Sequence, residues 1–428
     1  MRSLLVIGNG LAGLSAVRAA REVGFTRTVR VLGAEPGRPY DRPPLSKDYL
    51  AGRAGPADLD LDAPQEDLGA EWFVGSAASL EPGRGVRTSD GRLLEADGIV
   101  LATGARARTL PQLPHACENV VVLRTRDDAD RLRRELAPGR HLVVVGAGLV
   151  GCEVAATASE LGCRVTLLTP EEVPLERICG ARLAPRLLDL HRGRGVTVRT
   201  EVSVAGADVV GSRVTALRLE GGEEVAADVV LVAVGAEPET EWLQGAGLDL
   251  GDGVRCDQAG RVLADGRPVP GLVAVGDCAA WWDPHLGRHH RTQHWTDAAE
   301  RTSRAVAALL GVPAPPRKAY LPYFWSDQHG HRVQMAGYAS LADSVDLEPD
   351  PPTRPTTRTP VSAEGFLAVY RRAGEPVAVL SLDRPREFVR WRRALVASLG
   401  QLPGIPTEAA SGSAPSVAAP APLEGAAV

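Results

Sequence analysis

A glycine-rich turn near the start of the chain constrains its fold more than any other stretch of sequence. The apolar run Leu4–Ile7 is typical of a buried parallel strand, and Leu14–Glu22 has the pattern of a helix that crosses back over the sheet. Between them, Gly8 permits a tight turn, Gly10 lets a pyrophosphate approach the backbone, and Gly13 allows the helix to pack closely on the strand. The stretch therefore predicts a dinucleotide-binding turn in which phosphates meet a helix N-terminus.

An acidic residue follows where a ribose would need one. Val29–Leu32 predicts the second strand, and Glu35 lies just beyond its end, 22 residues after Gly13. A carboxylate at this point can accept hydrogen bonds from ribose hydroxyls. The complete pattern of strand, turn, helix, strand and acid favours a dinucleotide site over a chance match.

The same pattern recurs in the middle of the chain. The strand Leu142–Val145 is followed by Gly146, Gly148 and Gly151, with the spacing of the first set. Two dinucleotide folds suggest two dinucleotides, and enzymes that hold two such cofactors usually pass electrons between them. The alternative is a duplication that is kept for structure alone.

The next strand, Val165–Leu168, leaves the choice of nicotinamide coenzyme open. Thr169 stands where an acid would select a free 2′-hydroxyl, and Glu171, two residues further, is the candidate acid for that ribose. A 2′-phosphate would need facing arginines, for which Arg164 and Arg177 are the nearby candidates. The pattern favours NADH over NADPH, which stays possible.

Length and charge limit the other possibilities. A chain of 428 residues, of which 44% are hydrophobic, can hold about three domains. Its net charge of -5 argues against general nucleic-acid binding. The first apolar run is too short for a signal peptide, and the longest apolar stretches, such as Val229–Val234, are too short to span a bilayer. We therefore expect a cytoplasmic protein without a membrane segment.

The positions of the cysteines in the sequence do not indicate a functional site. Six are scattered along the chain without the spacing of a zinc site or a redox pair, at Cys117, Cys152, Cys163, Cys179, Cys256 and Cys278. We expect buried, reduced and inert thiols.

Several further stretches, in a fixed order, carry a resemblance. They are Gly8–Gly13 with Glu35, Arg42–Lys47, Ala102–Gly104, Gly151–Glu153, Val275–Asp277, Trp295 and Tyr323–Gly337. In this combination the chain resembles two-dinucleotide flavoprotein reductases of the pyridine nucleotide-disulfide oxidoreductase-like superfamily. More narrowly, it is similar to the FAD-dependent ferredoxin reductases that serve bacterial cytochromes P450 and aromatic-ring dioxygenases. The resemblance covers about residues 1–400.

The resemblance implies an α/β fold with two Rossmann-like dinucleotide-binding domains and a smaller α+β C-terminal domain. The FAD-binding domain would comprise residues 1–109 and 238–316, and the NAD(P)-binding domain would comprise 110–237. Residues 317–403 would form the C-terminal interface domain, and 404–428 a disordered tail that is rich in Ala, Pro, Ser and Gly. We expect a monomer or homodimer.

The family also implies roles for single residues. FAD would be bound by Gly8, Gly10, Gly13, Glu35, Arg42, Thr103, Arg124, Gly276, Asp277 and Trp295, with Asp277 at the ribityl chain and Trp295 at the pyrimidine end of the flavin. NAD would be bound by Gly146, Gly148, Gly151 and Glu171. Lys47 would lie near flavin N5 and pair with Glu153, and Trp325 would lie close to the exposed face of the flavin. These three, Lys47, Glu153 and Trp325, are the candidate catalytic residues.

The absence of cysteine from the loop after Glu35 distinguishes this chain from thiol-dependent members of the superfamily. Thiol-dependent members place one or two cysteines in the loop after the first acid, whereas the segment Gly33–Leu50 has none. What remains is hydride transfer from nicotinamide C4 to flavin N5, followed by single-electron release to a [2Fe-2S] ferredoxin that serves an oxygenase. Two alternatives stay open, namely direct reduction of a small acceptor such as a quinone, and a nicotinamide-responsive interaction protein with slow turnover.

Two groups of basic residues could serve acceptor docking. Six of the nine histidines lie between residues 285 and 331, and we expect them to be exposed and to add positive charge below about pH 6.5 rather than to bind a metal. The predicted helix Pro385–Leu399 carries Arg386, Arg390, Arg392 and Arg393. These arginines either solvate the helix or help to dock an acidic ferredoxin.

Overall fold

The computed structural model describes residues 1–61, 68–314, 320–349 and 365–399. The tail predicted at 404–428 lies outside the described residues. In the segments that are described, no helix is both long and apolar enough to cross a bilayer.

The first glycine turn lies inside a parallel sheet that the chain builds, leaves and later rejoins. The first pass contributes β1 (Ser3–Ile7), α1 (Leu11–Glu22), β2 (Thr28–Gly33), β3 (Ala70–Val74), β4 (Ala77–Glu81), β5 (Gly85–Thr88), β6 (Leu93–Glu95), β7 (Gly98–Leu101) and β8 (Ala105–Ala107). β1 pairs in parallel with both β2 and β7, so it lies inside the sheet, and four of its five residues are buried, which fits its apolar sequence. β4, β5 and β6 form a separate antiparallel sheet, and the turn at Asp90-Gly91 joins the last two.

The second glycine turn belongs to a sheet of its own. This part comprises β9 (Val120–Val122), α2 (Arg126–Glu135), β10 (His141–Val145), α3 (Leu149–Glu160), β11 (Arg164–Leu168), α4 (Glu176–Cys179), α5 (Ala184–Arg192), β12 (Thr197–Arg199), β13 (Val204–Val210), β14 (Arg213–Leu219), β15 (Glu224–Ala226) and β16 (Val229–Val232). The parallel strand order is β12-β11-β10-β16-β9, and β13, β14 and β15 form an antiparallel sheet beside it. The two glycine turns therefore occupy equivalent positions, each after the strand at the centre of a parallel sheet.

The chain then returns to the first sheet. This pass comprises β17 (Ala236–Pro238), β18 (Leu250–Gly251), β19 (Gly253–Cys256), β20 (Arg261–Ala264), β21 (Arg267–Ala274), β22 (Ala279–Asp283), β23 (Arg288–His290) and α6 (Trp295–Leu310). β21 pairs in parallel with β7, and α6 packs beside α1. β17 pairs with β8, so the outgoing and returning chains lie side by side between the two parallel sheets.

The last part is an antiparallel sheet with one covering helix. It comprises β24 (Tyr323–Gln328), β25 (His331–Gly337), β26 (Ser344–Leu347), β27 (Phe366–Arg372), β28 (Glu375–Leu382) and α7 (Pro385–Leu399). The strand order is β24-β25-β28-β27-β26. One face shares a hydrophobic core with α4, α5 and the start of α3, while α7 covers the other face. The predicted α/β class with a smaller α+β part is confirmed.

The segment that carries Lys47 is a tight turn and not a regular α-helix. The structure has a 3₁₀ turn at Pro43–Ser46, after which Lys47 leaves helical geometry with φ -124° and ψ -110°. Two consecutive prolines favour the first turn of a helix, but Pro44 supplies no backbone donor to it. The backbone N–H groups of Lys47 and Tyr49 both donate to the Pro44 carbonyl, which closes the turn instead of extending it.

Candidate functional site

The first glycine turn leaves a cradle at the start of α1. A Cβ at Gly8, whose φ is +116°, would lie 2.0 Å from the Ala102 carbonyl oxygen, and one at Gly13 would lie 1.9 Å from that of Gly8. A Cβ at Gly10 would instead face open space, with no heavy atom within 4 Å. No side chain caps the helix and no acid occupies its first turn. Backbone donors therefore face an open site of a kind that fits a phosphate.

The second turn repeats this construction. A Cβ at Gly146, with φ +108°, would lie 2.4 Å from the Ala233 carbonyl oxygen, and one at Gly151 would lie 2.2 Å from that of Gly146. Gly148 again faces open space, and α3 also has neither a side-chain cap nor an acid in its first turn. The chain thus contains two phosphate-sized cradles of the same design.

Glu35 lies in a polar cluster at the edge of the first cradle. Its carboxylate accepts a hydrogen bond from Arg42 Nη2 at 2.7 Å and another from the Tyr40 hydroxyl. Asn9 Nδ2, from within the turn, donates to the Glu35 carbonyl at 2.8 Å. Burial raises the pKa of Tyr40 to about 12, so it remains a donor. Sequence reasoning missed Tyr40, because a tyrosine five residues after an acid has no distinctive pattern.

Asp277 and Arg124 are brought together across the first sheet. Arg124 Nη2 lies 2.7 Å from Asp277 Oδ2, while its buried Nε has no hydrogen-bond partner. Gly276 brings this turn close to α1, where its Cβ would lie 2.8 Å from the Ala12 Cβ. Thr103 is turned toward the crossover, because its hydroxyl donates to the Glu239 carbonyl at 2.7 Å. The orphaned guanidinium nitrogen fits a site that binds a further polar group.

Lys47 and Glu153 form an ion pair where three parts of the chain meet. Lys47 Nζ lies 2.7 Å from Glu153 Oε2 and donates to the Pro43 carbonyl at 3.1 Å. The carboxylate is buried, and it also accepts hydrogen bonds from the Ser46 hydroxyl and, at 2.7 Å, from the Ser326 hydroxyl. A buried carboxylate is costly unless such donors replace its water. Here they come from the loop after β2 and from β24, while Glu153 itself lies on α3.

A row of aromatic rings runs outward from the same loop. Trp295 Nε1 donates to Asp41 Oδ1 at 2.7 Å, and its ring lies 6.2 Å from that of Trp325 in a T-shaped arrangement. Tyr323 stacks on Trp325 with 6.0 Å between centroids. The guanidinium of Arg392, on α7, lies 4.3 Å from the Tyr323 centroid. Trp295 is 37% exposed, so part of this row faces solvent.

The second cradle has a carboxylate beside it, and of the three nearby arginines Arg177 is exposed on α4, while Arg164 and Arg199 are not available to a ligand there. Thr169 is buried and donates to the exposed Glu171 carboxylate. Arg164 lies at the opposite end of β11 from the glycine turn, four residues or roughly 13 Å away. Arg199, which sequence reasoning missed, pairs with Leu168 in the sheet, but Glu223 holds its guanidinium through two 2.6 Å hydrogen bonds.

The prediction that the six histidines between residues 285 and 331 are exposed is wrong. His329 and His331 are buried, and His331 Nδ1 lies 2.6 Å from Asp383 Oδ2. Burial lowers the pKa of His294 and of His329 to about 4. The rings of His294 and His329 therefore do not gain charge near pH 6.5, because burial removes them from water. Among the residues described, no group of three or more His, Cys, Asp or Glu side chains could hold a metal ion.

The cysteines behave as predicted. All six are buried and none forms a disulfide. Burial raises the pKa of Cys152 and of Cys179 to about 12. Thiolate chemistry at neutral pH is therefore disfavoured at both positions.

Two family profiles match consecutive parts of the chain. Residues 2–302 match the pyridine nucleotide-disulphide oxidoreductase family, and residues 323–402 match the reductase C-terminal family. The first match contains both glycine cradles, Lys47 and Glu153. The second contains Trp325 and Ser326.

Full-length relatives are also found. The chain is 36% identical over 402 residues to the ferredoxin reductase component of chlorobenzene dioxygenase from Cupriavidus sp. (strain PS12), covering 92% of each chain. It is 32% identical over 412 residues to putidaredoxin reductase from Pseudomonas putida, covering 94% of each. Among solved structures, the covalent putidaredoxin reductase–putidaredoxin complex matches with a TM-score of 0.84 and 31% identity, over 92% of this chain and 93% of that one.

Proposed function

The chain belongs to the pyridine nucleotide-disulphide oxidoreductase family, and on this premise we propose that it is an NAD(P)H-dependent ferredoxin reductase. In this function electrons pass from the nicotinamide through FAD to a [2Fe-2S] ferredoxin, which serves a cytochrome P450 or another oxygenase. The observation that carries the proposal is the buried Lys47–Glu153 pair, which lies between two phosphate cradles and next to the Trp325 ring system. The full-length relationship to ferredoxin reductases of two oxygenase systems supports it.

The first cradle is the site for FAD. Its backbone donors at Gly10 and Gly13 would bind the pyrophosphate, Glu35 with Arg42 the adenosine ribose, and Asp277 the ribityl chain. When bound, FAD supplies the ability to take up two electrons with a hydride and to release them singly. When FAD binds, Arg124 would either exchange its contact with Asp277 for one with FAD or add a contact with FAD through its unpaired Nε. Trp295 and the backbone of Thr103, which lies beside Gly8, would complete the cleft.

Lys47 and Glu153 organise the hydride-transfer site. Glu153 fixes the Lys47 ammonium through a 2.7 Å contact, so that the ammonium has one orientation relative to both cradles. The Ser46 and Ser326 donors hold the carboxylate in turn. No side chain acts as a nucleophile in this mechanism, and the contribution of the protein is to position the two reacting rings and exclude water.

NADH is the preferred coenzyme. The second cradle, formed by Gly146, Gly148 and Gly151, would bind the NAD pyrophosphate, and Glu171 would accept hydrogen bonds from the adenosine ribose. A carboxylate at this position disfavours a 2′-phosphate through charge repulsion. Arg199 is the arginine closest in the sheet to the strand end, and Glu223 already neutralises it.

The ferredoxin docks beside α7 and the exposed aromatic row. Arg386, Arg390 and Arg393 are exposed on α7, whereas Arg392 is half-buried over Tyr323. Exposed arginines attract an acidic partner and raise the association rate more than the final affinity. Trp325 lies between the Lys47 region and this face, so its ring is the candidate contact for the outgoing electron.

The experiment that tests this function is a double-mixing, anaerobic stopped-flow measurement on the FAD-loaded protein. We expect NADH to bleach the flavin absorbance rapidly, NADPH to do so more slowly, and a [2Fe-2S] ferredoxin to restore the oxidised spectrum. Bleaching by NADH without reoxidation by ferredoxins would refute the claim that a ferredoxin is the electron acceptor. Absence of bleaching by both coenzymes would refute the reductase function.

A further inference from the structure

A chain of buried hydrogen bonds leads from Glu153 away from the cofactor cradles. Ser326, which donates to Glu153, accepts a hydrogen bond from Gln328 Nε2 at 2.9 Å. Gln328 Oε1 lies 2.9 Å from His191 Nε2, and His191 Nδ1 lies 3.1 Å from His329 Nε2. All four of these side chains are buried. They connect helix α5 to the hairpin of β24 and β25.

The chemistry of each group gives this chain a single direction. A carboxylate can only accept, so the Ser326 hydroxyl donates to Glu153 and its oxygen is left to accept from the Gln328 amide. The Gln328 carbonyl can only accept, which requires the proton of neutral His191 to be on Nε2. His191 Nδ1 is then a bare acceptor for His329 Nε2–H. Every donor in the chain points toward Glu153.

The surroundings keep the two imidazoles neutral. Burial lowers the pKa of His191, and burial together with repulsion from His191 and Arg194 lowers that of His329 to about 4. Arg194 Nη1 donates to the His329 carbonyl at 3.4 Å, and its Nη2 lies 3.5 Å from His331 Nε2. His331 is itself paired with Asp383. At the other end, Lys47 is the charged group that faces Glu153.

We propose that Gln328 and His191 are positioning residues for hydride transfer, which hold the Glu153 carboxylate, through Ser326, in the orientation that fixes Lys47. The proposal rests on the proposed function. If the Gln328 amide is lost, the Ser326 oxygen loses its donor and its hydroxyl is free to rotate away from Glu153. If His191 is lost, the Gln328 carbonyl is buried without a partner, and the amide can turn over. In both cases Glu153 and Lys47 lose their single geometry, and small displacements of such groups slow a reaction strongly.

Four variants separate positioning from simple structural support. His191→Leu and Gln328→Met remove one link each, and methionine keeps the approximate shape of glutamine. His191→Gln retains an amide N–H near the position of the imidazole Nε2–H and serves as the rescue. Arg192→Ala is the matched control, because Arg192 is on the same helix and forms its ion pair with the exposed Asp189.

The first measurement is the limiting rate of flavin reduction and the NADH dissociation constant, obtained by stopped flow of each FAD-loaded variant. We expect His191→Leu and Gln328→Met to lower the limiting rate roughly tenfold, the equivalent of one lost hydrogen bond, with an unchanged dissociation constant. His191→Gln should remain within about twofold of the wild type, and Arg192→Ala should match it. Equal losses in His191→Gln and His191→Leu would overturn the proposal.

The second measurement does not depend on catalysis. Long-range ¹H–¹⁵N spectra of protein with ¹⁵N-labelled histidine report the tautomer of each ring, and the His191 signal is identified by its loss in His191→Gln. We expect the neutral Nε2–H form at pH 7, and a mixture of tautomers in Gln328→Met. A charged His191 or its Nδ1–H form in the wild type would overturn the proposal.

The outcomes distinguish the inference from the function on which it rests. Failure of NADH to reduce the wild-type flavin would refute the proposed function, whatever the tautomer of His191. Reduction of the wild type, together with unchanged rates in both Gln328→Met and His191→Leu, would refute only the positioning role. Should His191→Leu fail to fold, Gln328→Met and His191→Gln still decide the question.

Discussion

Neutralising Glu153 should damage stability and hydride transfer by separable amounts. Glu153→Gln keeps the shape of the side chain and removes its charge, which leaves the Lys47 ammonium with the Pro43 carbonyl at 3.1 Å. At a separation of 2.7 Å and an effective dielectric constant of 20, the lost attraction is about 6 kcal/mol. Roughly half of it offsets the cost of burying the two charges, and removing one partner of a buried pair typically costs about 3–5 kcal/mol. We expect a loss of about 3 kcal/mol, since Lys47 is 13% exposed and keeps some solvent.

The double variant Lys47→Met/Glu153→Gln tests this reasoning. It removes both charges, so it should regain about 2 kcal/mol of the loss, because no unpaired ammonium remains buried. The rate of flavin reduction should not recover. It should be roughly a hundredfold below the wild type in both the single and the double variant, because the ammonium is misplaced in one and absent in the other.

The assays are the denaturant midpoint of the FAD-loaded protein and the anaerobic rate of flavin bleaching by saturating NADH. Arg53→Ala is a suitable control, since the ion pair of Arg53 with Asp48 in the same loop is exposed. If the double variant reduced flavin as fast as the wild type, the pair would be structural only. If Glu153→Gln were as stable as the wild type, Lys47 and Glu153 would not be coupled.

Three further predictions follow from the surface, the coenzyme cradle and the buried histidines. Arg390→Glu combined with Arg393→Glu should slow ferredoxin reduction at low salt about tenfold without changing flavin bleaching by NADH, measured in the two mixing steps; an unchanged ferredoxin rate would contradict docking at α7. Glu171→Gln should raise the KM for NADH several-fold and narrow the preference over NADPH; equal effects on both coenzymes would argue against a ribose contact. The free energy of unfolding should fall as the pH drops from about 6.5 toward 4, because unfolded histidine binds a proton there while His329, with a pKa of about 4, does not. His329→Gln should reduce this loss of unfolding free energy, by up to about 3 kcal/mol between pH 6.5 and 4, and denaturant melts at pH 7 and 5 would measure part of the difference. An unchanged pH dependence would show that His329 is not the cause.

The elements that the sequence predicts well are those whose requirements are local. Gly8 and Gly146 adopt positive φ and leave no space for a Cβ. The short strand–turn–helix sequence pattern around each of them is enough to predict both features. The helix α7 follows from helical periodicity in the same way. The turn before Lys47 has no such local pattern, because it depends on one carbonyl, that of Pro44, accepting two backbone donors.

Contacts between distant parts of the chain are not predicted by any such local sequence pattern. Lys47 and Glu153 were paired through the family resemblance, and Tyr40 and Arg199 were not found at all. Exposure of the histidines was predicted wrongly because it depends on which strands and helices cover them: His329 lies against His191 of α5, more than a hundred residues earlier. Periodicity reports which face of an element is covered, but it does not report what covers it.

Strand β24 carries side chains of both the proposed hydride-transfer site and the proposed ferredoxin-docking face. Side chains alternate across a strand, so Tyr323 and Trp325 project to the face that meets Arg392 and α7, while Ser326 and Gln328 project to the face that meets Glu153 and His191. Trp325 and Ser326 are adjacent in sequence. The geometry of the Glu153 carboxylate and that of the ring nearest the acceptor face are therefore set by the same backbone. A shift of β24 by one residue would exchange the two faces and disable both, which explains why the C-terminal sheet has to pack against α3 and α5 as a rigid part of the site.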